Sequence, residues 1–212
     1  TYNNENMYAA NETIFRLLGQ NKFVFKNKNV LDLGMGEGSN LLEFKKRGSN
    51  IYGADIRKKI VDNFVKKYNL KKKNFFSCDF NKNFPNITKQ LDLIFSKDTF
   101  IYIDKKYHLK IFNEIFNKLN TNGFFIFQYP QAELEKKNDD IYDYNLSKNY
   151  KELRKYHEKK NPVKFFSNKY VTSLLNKTNF NIVTSIFDVN TYSHITPHKI
   201  GINRYLLLKK KN

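Results

Sequence analysis

A short glycine-rich segment has the residue types and spacing expected of a cofactor-binding turn. It follows the apolar run 29–33 and has glycine at every second position, namely Gly34, Gly36 and Gly38. Glycine lets a backbone approach a ligand closely and adopt a positive φ. The dinucleotide site of oxidoreductases requires the spacing G-x-G-x-x-G, and its last position is Ser39 in this chain. The segment therefore favours a nucleoside cofactor that carries no pyrophosphate.

Acidic residues end or follow the next two apolar runs. Asp55 closes the run 51–55 and lies 21 positions after Gly34, whereas Asp79 and Phe80 follow the run that ends at Cys78. An acid at the first of these positions can accept both hydroxyls of a ribose. Asp79 could bond the amino group of adenine while the neighbouring ring stacks on the base. The alternatives are a helix-capping role for Asp55 and a turn role for Asp79.

Alternating strand and helix patterns must position these residues. Apolar runs predict strands at 29–33, 50–56, 74–78, 91–96, 124–128, 180–187 and 202–208. Apolar residues at helical spacing predict helices near 41–47, 60–68, 104–119 and 167–177. This order is typical of a parallel sheet with helices on both faces, in which the carboxyl ends of the strands meet at one edge. The glycine-rich turn and both acids are therefore expected at the same edge of one sheet.

Composition excludes several other classes of protein. Cys78 is the single cysteine, which excludes an internal disulfide framework and a cysteine-based zinc cluster and suits a reducing compartment. No apolar run approaches the roughly 18 residues of a membrane span. The polar, asparagine-rich N-terminus also lacks the apolar core of a secretion signal. We therefore expect a cytoplasmic protein with a single domain over residues 1–212.

The net charge of +18 raises the question of a polyanionic partner. Lysine and asparagine are abundant throughout the chain, however, including in evident turns, while arginine is scarce. This pattern is typical of an AT-rich genome, and arginine is the residue that proteins prefer for reading bases and phosphates. Composition therefore argues against nucleic acid as the partner, while the same positive field favours small anionic substrates.

The segment 28–129 and, more loosely, the segment 167–209 resemble class I S-adenosylmethionine-dependent methyltransferases. The resemblance implies an α/β three-layer sandwich, in which a mostly parallel seven-stranded sheet with a final antiparallel strand has helices on both faces. It also implies S-adenosylmethionine as the cofactor, bound across the carboxyl ends of the first strands, and an enzyme that transfers its methyl group.

The resemblance assigns roles to individual residues at that edge. It places the acid and the first two glycines of 32–36 along the methionine part of the cofactor, Asp55 at the ribose, and Ile56 with 79–80 at the adenine. Residues 1–27 would form an N-terminal helical lid, and the charged, tyrosine-rich segment 131–166 a lid or insertion over the acceptor site. No metal site is predicted. The predicted cofactor-binding residues are Tyr8, Asp32, Gly34, Gly36, Gly38, Asp55, Ile56, Cys78, Asp79, Phe80, Lys97 and Asp98.

The segment 91–102 resembles the next motif of these enzymes, which runs beneath the reactive sulfur and towards the acceptor. It lacks the Asn/Asp-Pro-Pro-aromatic tetrapeptide of amino-directed nucleic-acid methyltransferases and the Pro-Cys nucleophile of the cytosine C5 enzymes. It is closer to small-molecule methyltransferases, including those that act on phosphorylated amines. Those enzymes have a histidine at the position of Tyr102, so a catalytic role for Tyr102 departs from their pattern.

An alcohol acceptor requires a base, and histidine is the first candidate because its pKa lies near neutrality. His108 and His157 are interpreted as solvated surface residues. His194 and His198 lie with Tyr192 in the loop after the sixth predicted strand, and this loop reaches the cofactor edge if that strand is parallel to the others. The alternative for this loop is a plain hairpin connection. The predicted catalytic residues are His194, His198, Tyr102 and Tyr129.

Several functions are compatible with these features. The leading hypothesis is O-methylation of a small anionic acceptor, such as a sugar, a sugar nucleotide or a phosphorylated metabolite, in a pocket lined by Tyr129 and Gln131. Such an enzyme would suit bacterial surface-polysaccharide biosynthesis. The alternative is an RNA methyltransferase that uses the lysine-rich surface to follow phosphates, and a third class is a cofactor-binding module without catalysis. The sequence does not indicate an oligomeric state.

Overall fold

The computed structural model describes residues 10–131, 141–143, 164–191 and 200–210. Its α-helices are α1 (Glu12–Gln20), α2 (Ser39–Lys46), α3 (Lys58–Lys67), α4 (Lys105–Lys118) and α5 (Asn168–Asn176). Its strands are β1 (Asn29–Leu33), β2 (Asn50–Asp55), β3 (Phe75–Ser77), β4 (Leu91–Ser96), β5 (Leu119–Gln131), β6 (Ile141–Asp143), β7 (Lys164–Phe166), β8 (Phe180–Thr191) and β9 (Ile200–Lys210). Short 3-10 helices are found at Lys72–Asn74 and Phe100–Tyr102. None of the described helices is long and apolar enough to cross a membrane.

The nine described strands belong to one sheet. The strands β3, β2, β1, β4 and β5 lie side by side in that order and run parallel. Strand β9 pairs antiparallel with β5, and β8 pairs antiparallel with β9, so β8 points the same way as the first five strands. These seven strands, with β9 reversed, confirm the predicted fold class. The carboxyl ends of β1, β2, β4, β5 and β8 consequently lie at one edge of the sheet.

A short hairpin adds two strands that the sequence pattern did not predict. Strand β6 pairs antiparallel with β7, and β7 joins the end of β5, where Phe166 pairs with Gln131. Gln131 also pairs with Ile202 of β9 on its other side. Strand β7 therefore lies on the same side of β5 as β4, beyond the carboxyl end of β4. These two strands belong to the segment 131–166, whose residues 132–140 and 144–163 lie outside the described part of the chain. Covering of the acceptor site by this segment stays a prediction.

Two apolar layers hold the helices on the sheet. Side chains alternate between the two faces of a strand, so Val30 of β1 packs on the side of α1, α2 and α3, while Leu31 packs on the side of α4 and α5. Both layers are rich in phenylalanine, and the ring centroids of Phe44 and Phe95 lie 5.3 Å apart. Because burial of such a side chain contributes about 1.5–3 kcal/mol, the aromatic residues account for much of the stability of this three-layer arrangement.

Helix α1 is fixed to the rest of the domain by apolar and polar contacts. Its apolar side is buried, and the Asn11 side chain caps the helix by accepting the Ile14 N–H at 3.1 Å. The Asn11 N–H also donates to Oδ1 of Asn40 in α2, at 2.8 Å. Asn11, directly before α1, therefore lies beside the first turn of α2. Residues 1–9, including Met7 and Tyr8, lie outside the described residues, so the proposed N-terminal lid stays a prediction.

Strand β5 begins earlier than predicted. The sequence pattern predicted a strand at 124–128, but β5 starts at Leu119, directly after α4. Asn122 has the positive φ of 66° that suits a turn residue, and the residues around it form an irregularity opposite Leu91 and Leu93. A bulge lets a strand absorb extra residues without ending, and local sequence does not distinguish a bulge from a turn.

Candidate cofactor and acceptor site

The glycine-rich turn lies at the carboxyl edge of the sheet, where β1 ends beside β2. The backbone N–H groups of Gly34 and Met35 both donate to the Ala54 carbonyl, at 2.8 and 3.0 Å. Helix α2 begins at Ser39, directly after the turn. Backbone hydrogen bonds therefore hold the turn on β2, at the position predicted for a cofactor-binding loop.

Packing within the protein explains two of the three glycines. A Cβ at Gly34 would lie 1.9 Å from Oγ1 of Thr99, and a Cβ at Gly38 would lie 2.2 Å from the Phe64 ring. Both distances are far below any real contact of a Cβ atom. Both residues also have positive φ, 85° and 77°. Packing and backbone conformation therefore favour glycine at both positions, whether or not a ligand binds.

Gly36 differs because it borders open space. A Cβ there would have the Arg57 guanidinium as its nearest neighbour, at 3.7 Å. The Gly36 N–H donates to Oδ2 of Asp55 at 3.0 Å, which ties the turn to the end of β2. Open space beside a glycine, bordered by an acid and a cation, fits a nucleoside cofactor.

Asp32 is a buried acid of β1 at the base of this turn, with 2% of its surface exposed. Burial raises its pKa well above the ordinary value, the negative Asp55 raises it further, and the positive Lys97 lowers it. Among the described residues, no hydrogen bond stabilises its charged form. A carboxyl group in this situation favours a cationic ligand, since a nearby positive charge offsets the cost of ionisation.

The raised pKa of Asp32 predicts that Asp32→Asn increasingly stabilises the free protein as the pH rises. The folded state holds this proton more tightly than the unfolded state, so wild-type stability falls between the ordinary carboxyl range and the raised folded pKa. The amide does not ionise and therefore escapes this loss. In thermal denaturation, the melting temperature of the variant should rise above that of wild type by roughly 2–4 °C for each kcal/mol gained. A difference that stays constant from mildly acidic to alkaline pH would contradict this prediction.

Asp55 accepts four hydrogen bonds at the end of β2. Its Oδ1 accepts from the backbone N–H and Nε of Arg57, at 3.0 and 2.9 Å, and its Oδ2 accepts from Nη2 of Arg57 and from the Gly36 N–H, both at 3.0 Å. Burial raises the pKa of Asp55, but the bonds from Arg57 and Gly36 outweigh burial and hold it below the ordinary value. The N-cap residue of α3 is Arg57 and not Asp55. Asp55 is therefore an ionised, oriented acceptor and not a helix cap.

The residues predicted around the adenine differ in exposure. Ile56 is 61% exposed and offers apolar surface, whereas Phe80 is 9% exposed and packs in the layer on the α4 side. Cys78 is also buried, and burial raises its pKa to about 11, so it stays a thiol. The Asp79 carboxylate is partly exposed and accepts the Asn81 N–H of a turn at 3.0 Å. Ile56 and Asp79 are accessible to a ligand, while stacking by Phe80 stays a prediction.

Lys97 and Asp98 follow β4 and form an ion pair with each other. Asp98 has a positive φ of 55°, which is uncommon for a residue other than glycine. Its backbone N–H donates to Oε1 of the buried Gln128 at 2.6 Å, and Gln128 donates to Oδ1 of the buried Asn203 at 2.8 Å. These bonds connect the loop after β4 to β5 and β9. They therefore fix the backbone that carries the charged side chains of Lys97 and Asp98.

Tyr102 lies on the 3-10 helix that follows this loop and is 42% exposed. Burial of its hydroxyl and the negative charge of Asp98 raise its pKa, and the positive Arg57 lowers it. Tyr102 therefore stays protonated near neutral pH and is a hydrogen-bond donor more than a base.

His108 is fully buried, which corrects its interpretation as a solvated surface residue. Its ring nitrogens lie 3.0 Å from the Ile103 carbonyl oxygen and 2.8 Å from the Tyr170 hydroxyl. Its ring also stacks on Phe166 of β7, with 5.6 Å between centroids. His108 thus joins α4, α5 and β7 behind the 3-10 helix that carries Tyr102.

Tyr129 and Gln131 lie at the carboxyl end of β5. Tyr129 is 1% exposed, and burial raises its pKa to about 12 although a hydrogen bond with Arg204 lowers it. Its hydroxyl therefore stays protonated. The side-chain oxygen of Gln131 is buried with no hydrogen-bond partner among the described residues. Because an unpaired buried oxygen costs about 1–3 kcal/mol, this atom marks a position that a ligand donor would stabilise.

The loop between β8 and β9 starts at the same edge. Strand β8 ends at Thr191, β9 begins at Ile200, and β8 runs parallel to β5. The sixth predicted strand is thus parallel to the others, as a role of this loop at the cofactor edge requires. Tyr192, His194 and His198 of this loop, like His157 of the segment 131–166, lie outside the described part of the chain. A role of His194 or His198 as the base stays a prediction.

Several polar residues of the site were not singled out from the sequence; they are Arg57, Thr99, Gln128, Asn203 and Arg204. Two of them belong to the five arginines among the 38 basic residues of the chain. Arg57 bonds to Asp55, and Arg204 donates to the Ser185 hydroxyl at 2.9 Å. In a lysine-rich chain, the rare arginines could have indicated such site residues. Their planar guanidinium forms directed hydrogen bonds that a lysine ammonium does not.

Comparison with known proteins shows the family. A family model described as a methyltransferase domain matches residues 4–185, and the chain belongs to this family. Together with the sheet topology and the glycine-rich turn, this makes the protein a class I S-adenosylmethionine-dependent methyltransferase. The predicted fold, enzyme class and cofactor are confirmed.

Two solved structures illustrate the shared fold. Magnesium protoporphyrin IX methyltransferase from Synechocystis PCC 6803, crystallised with S-adenosylmethionine, superposes with a TM-score of 0.64 at 13% identity, over 94% of this chain and 77% of that chain. The 1,6-didemethyltoxoflavin-N1-methyltransferase of Burkholderia thailandensis superposes with a TM-score of 0.66 at 13% identity, over 95% of this chain and 78% of that chain. At these identities the likeness concerns the fold alone.

One curated relative has detectable sequence similarity. Phosphoethanolamine N-methyltransferase of Plasmodium falciparum is 27% identical over 129 residues, which are 59% of this chain and 48% of the relative. The chain thus matches about half the length of this relative. The similarity supports methyl transfer but leaves the acceptor to be argued from the site.

Proposed function

We propose that this methyltransferase transfers a methyl group to an oxygen of a small anionic acceptor, such as a sugar, a sugar nucleotide or a phosphorylated metabolite. The observation that carries the proposal is Arg57 at the carboxyl edge, whose side chain is 57% exposed. A partly exposed guanidinium suits a phosphate or a carboxylate. The name of the Plasmodium relative also points to a phosphorylated acceptor.

The residues at this edge fit S-adenosylmethionine. Gly36 borders open space, Asp55 is an ionised acceptor for the ribose hydroxyls, and the buried Asp32 favours a positive charge. When bound, S-adenosylmethionine would supply a methyl group on a positively charged sulfur. The acceptor atom would attack the methyl carbon in line with the carbon–sulfur bond, which breaks. Ile56 and Asp79 would contact the adenine. The other residues of the proposed cofactor site are Tyr8, Gly34, Gly38, Cys78, Phe80, Lys97 and Asp98.

The chain itself must orient the acceptor and remove its proton. Tyr102 and Tyr129, whose pKa values are raised, would donate hydrogen bonds to the acceptor and not act as bases. The base would be His194 or His198, because a neutral imidazole accepts a proton near neutral pH. We propose that the segments 1–27 and 131–166 act as lids that exclude water. By analogy alone, we also propose a cytoplasmic role in bacterial surface-polysaccharide biosynthesis, since fold does not define substrate.

A methyl-transfer assay with paired acceptors tests the proposed function. Radiolabelled S-adenosylmethionine is supplied with sugars, sugar nucleotides and phosphorylated metabolites, each beside its uncharged counterpart. We expect labelling of an anionic member, and a kcat/KM at least about tenfold lower for its neutral counterpart, because a charge-assisted hydrogen bond contributes about 1.5–3 kcal/mol. Equal transfer to the neutral counterparts, or transfer to none of the panel, would contradict the proposal.

RNA forms the second arm of the same assay. If the lysine-rich surface follows phosphates, a random oligonucleotide binds tightly, its affinity falls steeply with salt, and RNA becomes labelled. We expect weak binding and no label. Intact binding of S-adenosylhomocysteine without transfer to any acceptor would instead favour a cofactor-binding module.

A further inference from the structure

The Asp55 carboxylate is already saturated with hydrogen bonds. A carboxylate offers about four acceptor positions, two on each oxygen. Backbone N–H groups of Gly36 and Arg57 fill two of them, and Nε and Nη2 of the Arg57 side chain fill the other two. A ribose held by Asp55 must therefore replace donors that are present in the free protein.

The Arg57 guanidinium is the replaceable pair of donors. The two backbone bonds come from the glycine-rich turn and the start of α3, so they keep the carboxylate oriented when the side chain leaves. The Arg57 side chain is 57% exposed, whereas that of Asp55 is 6% exposed. The fork donates one bond to each carboxylate oxygen, and two neighbouring ribose hydroxyls can do the same. The guanidinium thus takes the positions that a ribose diol would take.

The Arg57 guanidinium can leave Asp55 without losing its charge, because arginine stays protonated in proteins. More than half of its side chain is exposed, and its Nη2 lies 3.7 Å from the Cβ position of Gly36, which otherwise borders open space. A guanidinium that leaves Asp55 thus gains free donors for an anion at this edge of the sheet.

We propose that Arg57 occupies the ribose position of Asp55 in the free enzyme, and that cofactor binding moves its guanidinium away from Asp55, so that its freed donors bind the anionic group of the acceptor. The second half rests on the proposed function, because it assumes an anionic acceptor. The cofactor then binds first, since it completes the anion site. By linkage, the anion also strengthens cofactor binding by the same factor.

Calorimetry with S-adenosylhomocysteine tests the displacement without any acceptor. We expect Arg57→Ala to tighten binding by about two- to fivefold, because a partly exposed ion pair no longer competes with the ribose. Arg57→Lys, which keeps the charge and loses the fork, should tighten binding less. Lys58→Ala removes the same charge from a side chain that pairs with Asp62, so its affinity should match wild type. Weaker binding by Arg57→Ala would overturn the proposal, since Arg57 would then support Asp55.

Inorganic phosphate tests the anion site. We expect phosphate to bind the wild-type enzyme at least about fivefold more tightly in the presence of S-adenosylhomocysteine. This gain should vanish in Arg57→Ala and persist in Lys58→Ala. Equal phosphate affinity with and without S-adenosylhomocysteine would overturn the second half. If no anionic acceptor is methylated but Arg57→Ala still tightens cofactor binding, the proposed function fails and the displacement stands.

Discussion

Asp55→Ala is expected to weaken the binding of S-adenosylhomocysteine by about 1.5–3 kcal/mol. Asp55 is buried, and its pKa is held below the ordinary value by bonds from Arg57 and Gly36, so it is a fixed negative acceptor. Its removal takes away the group that would accept both ribose hydroxyls. Calorimetry measures the loss, and a melting curve shows whether the variant is folded.

A nearby acid provides the matched control for this prediction. Asp62 lies on α3 and pairs with Lys58 and Lys72. Asp62→Ala removes the same charge outside the cofactor site, so affinity should stay at the wild-type value. Arg57→Ala should have no further effect once Asp55 is absent, because the two side chains act through one contact. Unchanged affinity in Asp55→Ala would show that the ribose binds elsewhere.

Gly38→Ala is expected to destabilise the protein by about 2–5 kcal/mol. The added Cβ would lie 2.2 Å from the Phe64 ring, and the residue has a φ of 77° that penalises a side chain. Phe64 cannot easily retreat, since its ring packs between Tyr68 and Phe75 at centroid distances of 5.1 and 5.5 Å. Chemical denaturation should show the loss directly.

Gly36→Ala separates the effect of packing from the effect of backbone strain. It makes the same chemical change at a φ of 51°, but the Cβ meets open space bordered by Arg57. We expect a stability loss of about 1–2 kcal/mol from the backbone alone, together with weaker binding of S-adenosylhomocysteine. If Gly36→Ala destabilises more than Gly38→Ala, the division of the turn into packing and ligand positions is wrong.

The fold could be predicted from sequence because most of its strands are continuous apolar runs with clear ends. Strands β1 and β4 have the predicted bounds 29–33 and 91–96. The strands at 141–143 and 164–166 were missed, since each has three residues and pairing with a distant strand end decides its conformation. Pairing of that kind depends on tertiary contacts that a local pattern does not contain.

The sequence predicted which strand ends carry residues of the site, but not how those residues are buried or bonded. Asp32 and Asp55 lie at the carboxyl edge because the strands that carry them are parallel. The burial of Phe80 and His108 could not be predicted, because it depends on how a loop and a helix pack against distant residues. The hydrogen bond from the Arg57 side chain to Asp55 was also missed. A separation of two residues does not show whether a long side chain turns back towards its neighbour or into solvent.

The two packing glycines have a consequence for the evolutionary history of this fold. As long as Thr99 and Phe64 are retained, they would disfavour any larger residue at positions 34 and 38, even in a descendant that had lost catalysis. Selection for folding alone would preserve most of the motif, so motif searches would count pseudoenzymes together with active enzymes. Position 36 carries no such packing constraint. A bulky residue at position 36, in an otherwise intact motif, would indicate a domain that keeps the fold but no longer binds its cofactor.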